Sequence, residues 1–176
     1  VPAVNGFIPK GLPSFNAMKG YTYQPDKAKA LVKSYMEETG DMSPSITIST
    51  NSQNLDLCEY IQREVQKTGL QVNIDVMPPS TLRQTKVNGQ LSIFRGSWVA
   101  DYPDAENYLF IFHSKNFSPN GPNYTHYSSK EFDDLYERSI QITDNVKRRA
   151  LYQKMDSLVM ASAAVIPLYY DEVVRF

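Results

Sequence analysis

A chain of 176 residues, 41% hydrophobic and 21% charged, has the composition of an ordinary globular protein and length enough for one hydrophobic core. Its formal net charge is −1 with basic residues scattered, which excludes the electrostatic footprint of a nucleic-acid-binding protein. No apolar run approaches the roughly 20 residues of a membrane span, and Val1-Pro2-Ala3-Val4-Asn5 lacks the charged-then-apolar pattern of a signal peptide.

Residues 1–25, punctuated by Pro2, Gly6, Pro9, Gly11, Pro13 and Gly20, are predicted to be an extended lead-in draped over a surface. Asp26 is then a candidate N-cap for a helix over Lys27 to Thr39, with Ala28, Leu31, Val32, Tyr35 and Met36 at helical spacing and Gly40 as its stop. Ser45 to Thr50 alternates Ile46 and Ile48 with hydroxyl residues and reads as a strand. Asn54 is a candidate cap for a helix to about Thr68, stopped at Gly69, and Leu70 to Met77 is the next strand. Strand, helix and strand with short connections form a βαβ unit, so the two strands should be parallel. Pro79-Ser80 opens a weaker helix ended by Asn88-Gly89, and Leu91 to Ser97 reads as a third strand.

Trp98 to Ser129 is rich in Pro, Asn, Ser and aromatics, with one short helix expected from Glu106 to Phe112. A connection of that length inside a compact domain is usually functional, and its aromatics argue against disorder. Ser128-Ser129-Lys130-Glu131 is a capping-box pattern launching a helix through Phe132, Leu135, Tyr136, Ile140 and Ile142. Asp144 should cap another, carrying Leu151, Tyr152, Met155, Leu158 and Val159, and the two are expected to pack as a pair. Ala164 to Tyr170 is a short apolar run consistent with a late strand, demoted by Pro167 to an edge or bulge. The fold class is therefore α/β, with a mixed, mostly parallel sheet flanked by helices, and residues 1–176 are read as a single domain. The chain begins without an initiator methionine and stops straight after an apolar run, so it is expected to be part of something longer.

The densest chemistry lies in Trp98-Val99-Ala100-Asp101-Tyr102-Pro103-Asp104-Ala105-Glu106-Asn107, just past the third strand. Ligands of open α/β sheets bind beyond the carboxyl ends of the strands. A large aromatic wall beside a carboxylate suits a ligand with an apolar body and a cationic end. Asp101 is the candidate partner for that cation, because a charge that loses its water in a closed cleft must be compensated. Arg95 is chemically apt for a ligand carboxylate, although alternation in the strand leaves its facing open. Each residue has a plainer reading: Asp101 as the cap of the helix behind Pro103, Trp98 as core, Arg95 as strand surface, and Asp104 and Glu106 as first-turn carboxylates. Tyr102, Asn123 and Tyr124 are further candidates for a cleft lining, where Asn123, Tyr124 and Tyr127 equally suit pins for the long loop.

Catalysis finds little to build on. The only histidines, His113 and His126, lie in the long loop without metal-ligand spacing, and Cys58 falls on one helical face with Ile61 and Val65 as a small buried hydrophobe. No Gly-x-Ser-x-Gly elbow, Gly-rich phosphate loop or dinucleotide fingerprint follows the early strands. The expectation is a binding protein and not an enzyme, with no cofactor and no metal.

Four separated segments carry a family resemblance: Gly6-Phe7-Ile8-Pro9; Tyr23-Gln24-Pro25-Asp26-Lys27-Ala28-Lys29-Ala30-Leu31; Trp98 to Asp104 with Asn107 and Leu109; and Glu131-Phe132-Asp133 followed much later by Val165-Ile166-Pro167-Leu168-Tyr169. In this order they resemble the larger C-terminal lobe of the dipeptide, oligopeptide and nickel-binding family (family 5) of extracellular solute-binding proteins of ABC importers. The resemblance implies one lobe of a periplasmic-binding-protein-like fold (type II, cluster C), with the other lobe supplied by sequence outside this chain. It implies a short peptide held as an added strand by the main chain of Ser97 and Val99, its α-ammonium on Asp101, and Arg95 available to a ligand carboxylate. The implied partners are the missing N-terminal lobe and a membrane-embedded permease, and the implied setting is periplasmic or extracellular, with lipid anchoring through preceding sequence left open. A nickel complex, haem or a sugar as ligand, and a small hydrolase as a more distant reading, are the alternatives.

Overall fold

Alternation of Ile46 and Ile48 with Ser45, Thr47 and Ser49 gives one apolar strand face, and Ser45–Thr50 forms β1 as expected. The computed structural model describes residues 2–3, 5–15, 17 and 20–171. It divides into two compact units, Tyr23–Ser97 and a discontinuous unit of Val1–Thr22 with Trp98–Phe176.

The Tyr23–Ser97 unit holds α1 (Pro25–Thr39), β1, α2 (Leu55–Gln66), β2 (Gln71–Val76), α3 (Pro79–Val87) and β3 (Ile93–Phe94). Its sheet runs β2-β1-β3, and both pairs are parallel, with Ile48 opposite Ile74 on one side and Ile93 on the other. The β1-α2-β2 crossover is the βαβ unit read from the sequence. One face of α2 supplies Cys58, Ile61 and Val65 to a core with Ile46, Ile48, Val72 and Ile74. The side chains of Gln62 and Gln66 donate to the Val72 carbonyl (2.7 and 3.3 Å), satisfying part of the β2 main chain from the helix.

Helix boundaries shift for identifiable reasons. Pro25 opens α1, so Asp26 sits in the first turn and is not the cap, while Gly40 ends the helix in the left-handed conformation at φ 73° that glycine tolerates. Asn51, not Asn54, accepts from the Gln53 N–H (3.1 Å) and starts a 3₁₀ turn over Ser52–Asn54 that leads into α2. The third strand is much shorter than Leu91 to Ser97. Pairing with β1 is confined to Ile93 and Phe94, opposite Ile48 and Ser49, with the Arg95 N–H reaching the Ser49 carbonyl (3.1 Å).

The other unit is built on α4 (Glu106–Leu109), α5 (Lys130–Ser139) and α6 (Asn145–Ala161), with 3₁₀ turns at Phe110–Phe112 and Ser114–Asn116. Its core joins Ile8, Ala105, Leu109, Phe112, Phe132, Leu135, Tyr152, Met155 and Val159. Helices α5 and α6 pack together as expected. Asp144 caps α6 by accepting from Val146 and Lys147 N–H (2.9 and 3.2 Å). The cap of α5 is Ser129, accepting from Phe132 N–H (3.3 Å), so the capping box from Ser128 does not form, and Glu131 instead pairs with Lys154 on α6 (2.6 Å).

Two expectations are corrected here. The lead-in is not draped over a surface: Ile8 is fully buried, the Phe7 ring meets Phe112 edge-on (4.9 Å), and the Phe7 N–H donates to Asp156 (2.7 Å). The run Ala164 to Tyr170 adds no strand to the sheet. Pro167 lacks a donor, and among the described residues the segment makes an isolated antiparallel bridge between Tyr169 and Pro2, with the Ala3 N–H donating to the Leu168 carbonyl (3.2 Å).

Asp156, on α6, is a fully buried carboxylate whose Oδ1 serves the Phe7 N–H while Oδ2 has no partner among the described residues. Burial pushes its carboxyl up to about 6, against the opposing backbone N–H groups of Phe7 and Ile8. The folded state therefore prefers the neutral acid. That contribution is present in full below pH 4 and is lost as pH rises through 6, and a displacement from 3.8 to about 6 is worth about 3 kcal/mol. Denaturant unfolding of wild type and Asp156→Asn from pH 4 to 7.5 should show the variant gaining on wild type by about that amount as pH rises. Parallel stability curves would remove Asp156 as the titrating group.

Candidate functional site

The Trp98–Asn107 segment leaves regular structure at Trp98 and regains it at α4, so its geometry depends on side-chain bonds. Asn107 supplies them. It is 2% exposed and lies between the buried Ala105 and Leu109, and its Oδ1 accepts from both the Trp98 indole N–H (3.0 Å) and the Asp101 main-chain N–H (3.2 Å). Trp98 is half-buried, its ring meeting Phe110 edge-on at 5.5 Å.

Asp101 is exposed, and no hydrogen bond or ion pair engages its carboxylate among the described residues. It does not cap α4. Asp104, two residues before the helix, accepts from the Glu106 N–H (2.9 Å) and pairs with Arg148 on α6 (3.2 Å). The Tyr102 hydroxyl donates to Glu106 Oε2 and the Tyr136 hydroxyl to Oε1, so one carboxylate ties the turn to α5. Burial first and the Glu106 hydrogen bond second raise both phenols above their ordinary range. Val99 is exposed at 65%. Neither Ser97 nor Val99 makes a main-chain hydrogen bond to another main-chain group among the described residues.

Arg95 and Ser97 belong to the Tyr23–Ser97 unit. Arg95 is half-buried one residue beyond β3, with its N–H on β1, and Ser97 is exposed. Tyr124 is half-buried in the loop that Asn123 organises. Asn123 itself is fully buried. Its Nδ2 donates to the carbonyls of His113 (3.1 Å) and Tyr127 (2.9 Å), and its Oδ1 accepts from Thr125 (3.0 Å) and the Tyr127 N–H (3.2 Å). With every donor and acceptor used internally, Asn123 has the geometry of a loop staple and none of a ligand contact.

The histidines have local roles. The buried His113 takes the Lys115 N–H on Nδ1 (3.1 Å), and His126 stacks on Phe117 (4.9 Å) with Nε2 against both the hydroxyl and the carbonyl of Ser118 (2.9 and 3.1 Å). Ser118 is itself buried, and no carboxylate orients that imidazole among the described residues. Among the described residues there is no group of three or more metal-ligating side chains, and no helix is long and apolar enough to cross a membrane.

The pairing of Trp98 and Asp101 on one turn was visible in the sequence, whereas the anchoring role of Asn107 was not. Its only signal is an amide lodged in an otherwise buried apolar stretch, where a polar side chain must find partners.

A profile describing bacterial extracellular solute-binding proteins, family 5, middle region, matches residues 2–120. The chain belongs to this family. It is similar to the probable deoxycholate-binding periplasmic protein YgiS of Escherichia coli (strain K12), 32% identical over 107 residues that cover 61% of this chain and 19% of that protein. Similarity to the periplasmic oligopeptide-binding protein OppA of the same strain is 26% over 156 residues, 88% of this chain and 25% of that protein. Among solved structures, the periplasmic binding protein DppA from Helicobacter pylori in complex with peptide STSA superposes with a TM-score of 0.84 at 27% identity, over 93% of this chain and 32% of that one. The small parallel sheet flanked by helices is thus the fold of family 5 structures. This family member spans a third or less of the length of these relatives. They are solute-binding proteins by name, not enzymes.

Proposed function

We propose that this chain supplies one ligand-binding lobe of a peptide receptor that delivers its cargo to an ABC importer. The observation that carries the reading is the Asp101 carboxylate, exposed and unengaged on a turn pinned from behind by Asn107. A free peptide terminus is a compact cation that needs such a partner once water is excluded. Ser97 and Val99 are exposed and make no hydrogen bond to another main-chain group among the described residues, which supports an added-strand mode that reads peptide backbone and tolerates many side chains. In this reading the half-buried indole of Trp98 and the ring of Tyr102 flank the peptide, and Tyr124 lines the approach. The rest of the receptor provides the opposing lobe, closure excludes water, and a membrane-embedded permease receives the ligand. The setting is periplasmic or extracellular, in keeping with the periplasmic relatives.

Calorimetric titration of the intact receptor tests this. Tri-alanine should bind about tenfold or more tighter than N-acetyl-tri-alanine, since acetylation removes the charge that Asp101 meets. Equal affinities would overturn the ammonium role, and selective capture of a nickel complex, haem or a sugar would reassign the ligand class.

A further inference from the structure

One oxygen holds the turn together. The Trp98 indole N–H and the Asp101 main-chain N–H converge on Asn107 Oδ1, at 3.0 and 3.2 Å, which closes residues 98 to 101 into a ring around a single acceptor. That acceptor belongs to a side chain only 2% exposed, on a helix whose neighbours Ala105 and Leu109 are core residues. Beyond that ring, the Tyr102 hydroxyl donates to Glu106. Two features of the candidate site, the Trp98 indole and the Asp101 main chain, are therefore referenced to the hydrophobic core through one side chain.

We propose that Asn107 is the positioning residue of the binding turn, fixing the Cα of Asp101 and the plane of Trp98 before ligand arrives; this rests on the reading of Asp101 as the ammonium partner. The physical basis is preorganisation. A carboxylate on an untethered connection would have to be ordered on binding, and ordering opposes affinity. A buried acceptor shared by two donors removes that freedom in advance. Loss of the acceptor also leaves an indole and an amide donor without partners in a half-buried position. The effect of Asn107 should therefore reach the ligand through Asp101, although Asn107 itself does not touch it.

The test uses the intact receptor with two substitutions, Asn107→Leu, which is close in shape and lacks the acceptor, and Asn107→Asp, which keeps it. Binding of tri-alanine and its N-acetyl form is measured by calorimetry, and main-chain exchange across residues 99–102 by deuterium uptake. Asn107→Leu should weaken tri-alanine about tenfold, erode its advantage over the acetylated peptide and speed exchange at Asp101, whereas Asn107→Asp should retain exchange protection and bind within about threefold of wild type. Should the leucine variant fail to fold, Asn107→Ser, too short to reach both donors, replaces it with the same expectations. Unchanged discrimination in a variant whose Asp101 amide exchanges freely would overturn the positioning role, as would equal losses in the aspartate and leucine variants. Discrimination that survives Asp101→Asn defeats the ammonium reading itself, while discrimination that Asp101→Asn removes and Asn107→Leu preserves defeats only the role of Asn107.

Discussion

Asp101→Asn in the intact receptor is expected to weaken binding of tri-alanine by about 30-fold or more while changing binding of N-acetyl-tri-alanine by less than about threefold. The substitution is unusually clean. The turn is held by the Asp101 main-chain N–H and not by its carboxylate, so replacing the side chain leaves the Asn107 bond in place. No other described group hydrogen-bonds or pairs with the carboxylate, so its removal orphans nothing among the described residues. What changes is one charge of unaltered shape. A ligand ammonium then enters a closed, water-poor site with a neutral amide in place of its counter-ion, and an unpaired buried charge is where the large cost arises. An acetylated peptide carries no such charge and should scarcely register the change. Equal weakening of both peptides would mean that Asp101 acts on the shape of the site, and the ammonium assignment would fall.

What the sequence made legible was whatever depends on neighbours in the chain. The βαβ unit follows from period-two alternation at Ile46 and Ile48 and from the helical spacing of Cys58, Ile61 and Val65, each set within one element. Asp144 is recognisable as a cap because its partners are Val146 and Lys147, two and three residues on. What was not legible depends on distant partners. Gly6-Phe7-Ile8 looked like loop because the group that buries it, Asp156, lies 149 residues away from Phe7. Ala164 to Tyr170 looked like a strand because nothing local announces that its partner is Pro2 and not the sheet. The third strand was overextended because pairing with β1 takes in only Ile93 and Phe94, a limit that lies in the partner strand's register and not in the residue types of Leu91 to Ser97. At the candidate site the same division holds. Trp98 and Asp101 advertise themselves by residue type, whereas Asn107 acquires meaning only when the turn folds back across nine positions onto its amide.

The largest stability loss should come from Gly6→Ala. A Cβ at this position would lie 1.9 Å from Asp156 Oδ2 and 2.6 Å from its Cγ, so either the helix or the N-terminal segment must yield. The carboxylate cannot simply swing aside. Its Oδ1 is held by the Phe7 N–H at 2.7 Å, the Gly6 carbonyl is held by the Tyr170 hydroxyl at 2.7 Å, and Ile8 next to them is fully buried in the core. Movement that relieves the clash therefore breaks buried hydrogen bonds or displaces Ile8, and the expected cost is about 3 kcal/mol or more. The two residues should be thermodynamically coupled. Asp156→Ala removes the obstructing oxygens, so the double variant Gly6→Ala/Asp156→Ala should be less destabilised than the sum of the single variants by at least about 1 kcal/mol in denaturant unfolding. Strict additivity would show that the strain of Gly6→Ala falls elsewhere. A near-neutral Gly6→Ala would show that the tether between the N-terminal segment and α6 is looser than the Asp156 geometry implies.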